Sequence, residues 1–224
     1  MARKVVPRAS SEQTRAKILT VAQKLFAEAG FDAVSMRQVG SEADVPFALV
    51  TYHFETKLGL YKAVFRQWGD TLSAQRMDQL DTIALGDDVY SNFLAIAKAL
   101  VEPMMRLRQM KGGREFVRLI AREVNDPIES ERGIVQEYLD PVAHKTIKIM
   151  HEAVPQAPMN RLYWAYHFAV GALAVNYTES GRLERISGDL CGYDDPAELT
   201  EEVTRFIAAG LTSIVRADAT VKAG

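Results

Sequence analysis

The residues able to do chemistry fall into one dense group and several isolated positions. Four histidines, His53, His144, His151 and His167, contain no HExxH pair, and neither a Gly-x-Ser-x-Gly nucleophile turn nor a phosphate-binding glycine loop occurs. His144, His151 and Glu152 share one helical stretch, but no second cluster supplies the remaining ligands of a metal site, so a solvated helix face is the better reading. Cys191, the single cysteine, excludes an intramolecular disulfide and any four-cysteine zinc module, and nothing beside it in sequence is basic enough to depress a thiol pKa. No catalytic residue, metal or cofactor is expected. The dense group lies between positions 37 and 57, where Arg37, Thr51, Tyr52, His53, Thr56 and Lys57 offer cations, hydroxyls and an imidazole. Such groups hold phosphates, and Phe47, Ala48, Leu49 and Thr51 beside them have the small, apolar or hydroxyl side chains that touch base edges and thymine methyls.

The charge distribution fits that chemistry. Up to Trp68 the chain has ten Lys and Arg against six Asp and Glu, whereas the remainder has seventeen against twenty-three, hidden in a net charge of -2. A basic first part on an acidic body suits a polyanionic partner for the first part alone. With 224 residues, 48% apolar and 25% charged, the chain is globular and long enough for one or two domains. No apolar run follows the basic start, so a secretory signal is not expected and the protein is placed in the cytoplasm. The longest stretch without Asp, Glu, Lys or Arg, 162–178, includes His167, Asn176 and Tyr177 and reads as a buried helix rather than a membrane span.

The elements that must position these groups are helical, since period-two alternation is missing and three-and-four spacing recurs throughout. A first helix is expected over 12–29, with Ser10 and Gln13 as capping box, an apolar face through Ile18, Ala22, Leu25 and Phe26, and Gly30 as its stop. Ser35 and Gln38 open a short second helix ending near Ala43, with Val34 and Val39 packed across its start. After Asp44 and Val45, Pro46 suits the start of a third short helix over 47–53, and Thr56 caps a longer fourth. A further helix is expected from Asp87 or Asp88 through Leu100, with Pro103 ending or bending its continuation over 101–108. Others lie from Phe116 to Val124, over 134–154 with a bend at Pro141, from Pro158 to Ser180, and from Pro196 to Val215. Residues 182–195, rich in Gly, Ser and Asp, read as loop, giving about nine helices in an all-α chain.

Two short helices joined by a three-residue turn have the spacing of a helix-turn-helix whose second helix enters the major groove. The stretch 18–30, ILTVAQKLFAEAG, followed by Phe31, Ser35, Val39, Ala43, Val45 and then TYHFETKLGLY over 51–61, resembles the DNA-binding domain of the TetR family of repressors. The family's Tyr-x-Phe-x-x-Lys-x-x-Leu core stands here as Tyr52, Phe54, Lys57 and Leu60. Phe54 and Leu60 are expected to pack the small domain, and Tyr52 and Lys57 to contact phosphate. Family members often have Gly in place of Asp44 and Ser in place of Pro46, so operator sequence and affinity do not carry over. The resemblance implies an N-terminal three-helix domain over 1–57, a regulatory and dimerisation bundle over 58–224, and a homodimer that binds a palindromic operator in double-stranded DNA.

For the second part the residues give two tasks. Met- and aromatic-rich helices suit a pocket or a core, and a ligand site is expected from Met104, Phe116, Arg118, Arg122, Met150, Trp164, His167 and Phe168. Arg118 and Arg122 also have Glu115 and Glu123 as ordinary ion-pair partners. Residues 152–174 are similar to TetR-type regulators answering to fatty acids or acyl-coenzyme A, which implies a small apolar effector of that class. The dimer interface is expected from Leu162, Ala165, Ala169, Leu173 and Asn176 on one helix, and Val203, Phe206, Ile207, Gly210, Leu211 and Ile214 on the last, as a four-helix bundle. The resulting reading is a ligand-responsive repressor, not an enzyme and not membrane-bound. The alternatives are an activator of the same fold, or an all-α small-molecule binding protein or enzyme with structural N-terminal helices.

Overall fold

The computed structural model describes the backbone of residues 8–216 and the side chains of residues 11–213; the basic start with Arg3 and Lys4 lies outside them. The described residues form eleven α-helices, one 3-10 turn at Glu129–Glu131 and no strand. In chain order the helices are α1 (Arg8–Ala33), α2 (Met36–Glu42), α3 (Phe47–Phe54), α4 (Lys57–Asp81), α5 (Val89–Arg108), α6 (Gly113–Val124), α7 (Ile134–Tyr138), α8 (Asp140–Ala153), α9 (Met159–Thr178), α10 (Arg182–Ser187) and α11 (Pro196–Arg216).

Local chemistry accounts for most of the boundaries. Ser35 Oγ accepts from Gln38 N at 3.1 Å, Thr56 Oγ1 from Gly59 N at 2.9 Å, and Asp88 Oδ2 from Ser91 N at 2.9 Å, each meeting an amide that the first helical turn leaves without a partner. Asp195 does the same for Ala197 and Glu198 at the start of α11. Gly30, at φ 83°, turns the chain where the first helix was expected to stop, and one further turn of α1 follows it.

Four expectations change. α1 begins at Arg8, so Ser10 lies inside it rather than at its cap. Pro103 neither ends nor replaces α5: it is buried within the helix, which runs on to Arg108, and packing of Val101, Met104, Met105 and Leu107 offsets a penalty of about 3 kcal/mol for an interior proline. The helix expected over 134–154 is two helices, because Pro141 lacks an N–H and is accommodated at the start of α8 instead of bending a continuous helix. The expected loop over 182–195 includes α10, a helix of six residues bounded by Gly181 and Gly188 at positive φ; its glycine-rich flanks mask it in the sequence.

The helices share one apolar core. The N-terminal three-helix unit is closed by Ile18, Ala22, Phe26, Val39, Val50, Phe54 and Leu60, and α4 continues from it into the body. α6 lies between α1 and α9, while α11 packs on α5 and α9. Two polar ties hold α1 to α6. Near one end, buried Gln23 donates to Gly112 O at 2.6 Å and accepts from Trp68 Nε1 at 2.7 Å. At the other, Arg122 donates to the carbonyls of Ala27 and Glu28 at 2.8 and 2.7 Å, just before Gly30 turns α1.

Candidate nucleic-acid interface and effector cavity

The turn between α2 and α3 is built from Gly40 and Asp44. Val45 N donates to Gly40 O at 2.9 Å, and a Cβ at Gly40 would lie 3.1 Å from Val45 O and 3.3 Å from Val50 Cγ2, so any larger residue would press the two helices apart by a few tenths of an ångström. Asp44 takes φ 48°, the left-handed conformation that Asp tolerates better than most side chains. Its carboxylate is 3.9 Å from Lys17 Nζ, an exposed pair that offsets part of the negative charge. Pro46 precedes α3 with no side-chain cap, as its type requires.

α3 buries Val50 and Phe54 and turns the opposite face outward. Phe47 is 41% exposed and Tyr52 73%, and Ala48 and Thr51 are also exposed, with Leu49 half-buried. Arg37 lies 4.7 Å over the Phe47 ring, which places its cation beside the start of α3. Thr51 Oγ1 donates to Phe47 O at 3.2 Å, leaving its lone pairs and methyl to the outside. His53, half-buried, stacks edge-on against Tyr52 at 5.2 Å, and burial together with the Arg15 cation holds its pKa below the ordinary 6.5. Thr56 spends its hydroxyl as the α4 cap. Lys57 is turned toward the protein: its Nζ donates to Asp32 O at 3.0 Å and sits 4.4 Å over the Phe31 ring. An ammonium has three donors, so this contact leaves capacity for a phosphate.

Below this surface lies a buried seam between the three-helix unit and the body. Glu123 on α6 accepts from Tyr61 Oη on α4 at 2.7 Å and from Arg132 Nε at 3.0 Å, and Arg132 also pairs with Asp126 at 2.7 Å. The Arg132 guanidinium stands 5.4 Å over Phe31, whose ring packs on Tyr61 at 4.9 Å. Burial, then the Glu123 charge, pushes the Tyr61 phenol far above its usual range, so it remains a donor.

The body holds a partly open cavity of about 170 Å³ between α4, α5, α6, α7, α8 and α9. Its wall is mostly apolar, from Met104, Ile120, Val135, Val142, Val170 and Leu173 among others, with Arg76, Asp140, Tyr166, His167 and Tyr177 as the polar groups. Of the expected ligand residues, Met104 and His167 line it. The other six do not. Phe116 is fully buried against Phe65 and Trp68, and Met150 is fully buried without reaching the cavity. Arg122 is spent on the α1 carbonyls, and Arg118 is half-buried away from the cavity. Trp164 and Phe168 face outward, 55% and 56% exposed. The cavity's polar lining also includes Arg76, Tyr166 and Tyr177, which lie outside the set expected from sequence, although Arg76 interrupts the buried stripe of Leu72 and Leu80 at helical spacing, the pattern of an inward-facing charge.

The expected dimer stripe also divides. Leu162, Ala165, Ala169 and Leu173, with Val203, Ile207 and Leu211, are buried in the chain's own core, and Asn176 donates to Ala172 O within α9. Phe206 and Gly210 are exposed; the Ile214 side chain lies outside the described residues. The outer face of α9 carries Trp164, Phe168, Gly171 and Val175 at spacings of three and four, beside Phe206 on α11. Trp164 and Phe168 stack at 5.6 Å. Trp164, Phe168, Val175 and Phe206 are all more than half exposed, an apolar surface of the kind that marks interaction sites. Among the described residues no group of three or more His, Cys, Asp or Glu could hold a metal ion, and no helix is long and apolar enough to cross a membrane.

A turn of this geometry, with an exposed second helix and cations beside it, defines a helix-turn-helix DNA-binding protein. Residues 18–64 match the family of bacterial regulatory proteins named for TetR, and residues 98–210 match the tetracyclin repressor-like C-terminal domain. The chain belongs to the TetR family of transcriptional regulators. Solved structures agree on the fold. A TetR-like transcriptional regulator from Rhodococcus sp. RHA1 superposes with a TM-score of 0.62 at 15% identity, over 96% of this chain and 99% of that one. A regulator from Aquifex aeolicus VF5 gives 0.55 at 15% identity over 88% and 98% of the two chains. A TetR-family regulator from Streptomyces coelicolor gives 0.51 at 17% over 90% and 99%. No curated protein sequence matches the chain significantly.

Proposed function

We propose that this protein is a cytoplasmic, ligand-responsive transcriptional repressor that binds a palindromic operator as a homodimer and releases it when a small apolar molecule fills the cavity. The observation that carries the reading is the double role of α6. Ile120, Ala121 and Val124 wall the cavity, while Arg122 and Glu123 of the same helix hold the end of α1 and, through Tyr61, the start of α4. A ligand that shifts α6 acts on both helices that bear the recognition unit. Releasing 99% of an initially 99% competent population needs about a 10⁴-fold preference for the released state. No catalytic step or cofactor enters this account.

In the operator complex, Arg37, Tyr52, His53, Thr56 and Lys57 contact phosphates and set register, while Phe47, Ala48, Leu49 and Thr51 read base edges and methyls. We place the end of the DNA-binding domain near residue 57, a reading supported by the start of α4 there. Two protomers meet through Trp164, Phe168, Val175 and Phe206, with Gly171 and Gly210 facing open space and small enough for a second backbone to come close. This face replaces the buried stripe expected from spacing.

The test begins with DNA crosslinked to the protein in cells, from which a labelled duplex is made for anisotropy. Lys57→Ala should weaken all duplexes about equally and flatten the salt dependence by about one unit, whereas Thr51→Ala should alter preference at particular positions. Equal loss of discrimination from both would overturn the roles. Activation of the neighbouring genes by the unliganded protein would favour an activator instead.

A further inference from the structure

The cavity's polar end is unusual for an apolar bundle. Arg76 of α4 is only 7% exposed and has no ion-pair partner among the described residues. Two of its N–H groups, on Nε and Nη2, donate to Leu100 O at 3.2 and 2.7 Å. A guanidinium has five donors, and of the three not on Leu100 O one is directed at the Tyr177 oxygen, leaving two. Tyr177 of α9 is 5% exposed, lines the same cavity, and its buried hydroxyl has no acceptor. Burial pushes its pKa up to about 12, opposed by the Arg76 charge and by an Arg76 N–H directed at its oxygen, so at neutral pH it is a phenol whose own proton is left to donate. Buried polar groups are almost always satisfied, and a cation with spare donors beside a phenol proton is a donor set suited to an anionic acceptor.

We propose that the cavity takes a compact apolar monocarboxylic acid, its carboxylate held by Arg76 and Tyr177 and its apolar body against Met104, Ile120, Val142 and Leu173. This rests on the reading that the cavity is the effector site and names its ligand class. Size sets the body. An engineered cavity of about 150 Å³ holds benzene, and this one, of about 170 Å³, has room for one ring or a short chain and its carboxylate. A long fatty acyl chain or an acyl-coenzyme A does not fit within this volume, so the compact acid is the better match. The cavity's one carboxylate, Asp140, lies in the first turn of α8, where the helix dipole favours its charge, and makes no ion pair with Arg76. Arg76 also explains how the ligand reaches the DNA-binding unit. It stands nineteen residues along the same α4 that begins at Lys57, about 28 Å of continuous helix.

The experiment is calorimetric titration of the purified full chain with benzoate, phenylacetate and hexanoate, each beside its amide and its amine, and with hexadecanoate. At least one compact acid is expected to bind, its amide about 30-fold or more weaker, and the amine and hexadecanoate not at all. Tyr177→Phe removes only a hydroxyl without a protein acceptor, so the fold survives, and acid affinity should fall about tenfold or more with amide affinity unchanged. Arg76→Met should abolish acid binding, with circular dichroism as the check on folding. Equal affinity for acid and amide, preference for the amine, tighter binding of hexadecanoate than of hexanoate, no binding of any compact acid, or an inert Tyr177→Phe would each overturn the proposal. Operator release is measured separately by anisotropy. Acid binding with this pattern but without release leaves the carboxylate site standing and removes the ligand-responsive reading instead.

Discussion

Glu123→Ala tests the seam that joins the recognition unit to the cavity. The Glu123 side chain is about 1% exposed, and that of its partner Arg132 about 4%. Truncation leaves the Tyr61 phenol, now bonded at 2.7 Å, without its acceptor and takes both carboxylate oxygens from Arg132 Nε, each now at 3.0 Å. Removing one member of a buried ion pair costs about 3–5 kcal/mol, because the other charge stays buried. Arg132 keeps Asp126 at 2.7 Å, whose side chain is 28% exposed, so the lower end of that range, about 3 kcal/mol, is expected. For a chain of this size each kcal/mol moves Tm by about 2–4 °C, so the midpoint should drop by about 6–12 °C. The assay is thermal unfolding of wild type, Glu123→Ala, Tyr61→Phe and their double variant. The cycle should show a coupling of about 1 kcal/mol or more between the two positions. A Glu123→Ala midpoint within about 2 °C of wild type would refute the reasoning, as would strict additivity with Tyr61→Phe.

Three further outcomes are expected from other parts of the chain. Phe206→Glu should turn the dimer into monomers in sedimentation at micromolar concentration without changing the helical signal, since Phe206 is 69% exposed in the single chain; a dimer unaffected by the change would remove this face from the interface. Gly113→Ala should destabilise by at least about 1–3 kcal/mol, because the new Cβ would collide with Leu107 O and backbone must move; an unchanged denaturation midpoint would contradict the turn geometry. Stability should fall as pH rises above 10. Tyr138 and Tyr177 are raised to about 12 and Tyr61 is raised further, so the unfolded chain loses phenolic protons that the folded chain keeps. Urea midpoints that stay level from pH 8 to pH 11 would count against buried, protonated phenols.

The legible parts of this molecule are those set by local rules. Ser35, Thr56 and Asp88 cap the helices they were expected to cap, and Gly30 and Asp44 turn the chain where only permissive residues can. Most of the stripe expected at the dimer interface is buried in the chain's own core instead, because α9 is apolar on two sides. Leu162, Ala165 and Leu173 repeat at helical spacing, and so do Trp164, Phe168 and Val175; periodicity cannot say which set meets the chain's own core. Larger side chains on the second set are the usable sign, since close-packed interiors of crossing helices favour the small ones. Six of the expected ligand residues lie away from the cavity for a related reason. Methionine and aromatic content marks apolar volume, but whether Phe116 or Met104 borders a void depends on packing among helices distant in sequence. Arg122 shows the same limit: its spacing from Arg118 pointed to an anion, and its partners are carbonyls of a helix more than ninety residues away.

The central claim, that two copies of α3 read one operator, is tested most directly by anisotropy of the purified protein on the crosslink-recovered duplex and on a scrambled duplex of equal length, across a salt series. The account predicts two protomers per duplex, an affinity at least about 10³-fold above the scrambled control, and a log K that falls linearly with log salt. Equal affinity for both duplexes, or one protomer per duplex, would contradict it.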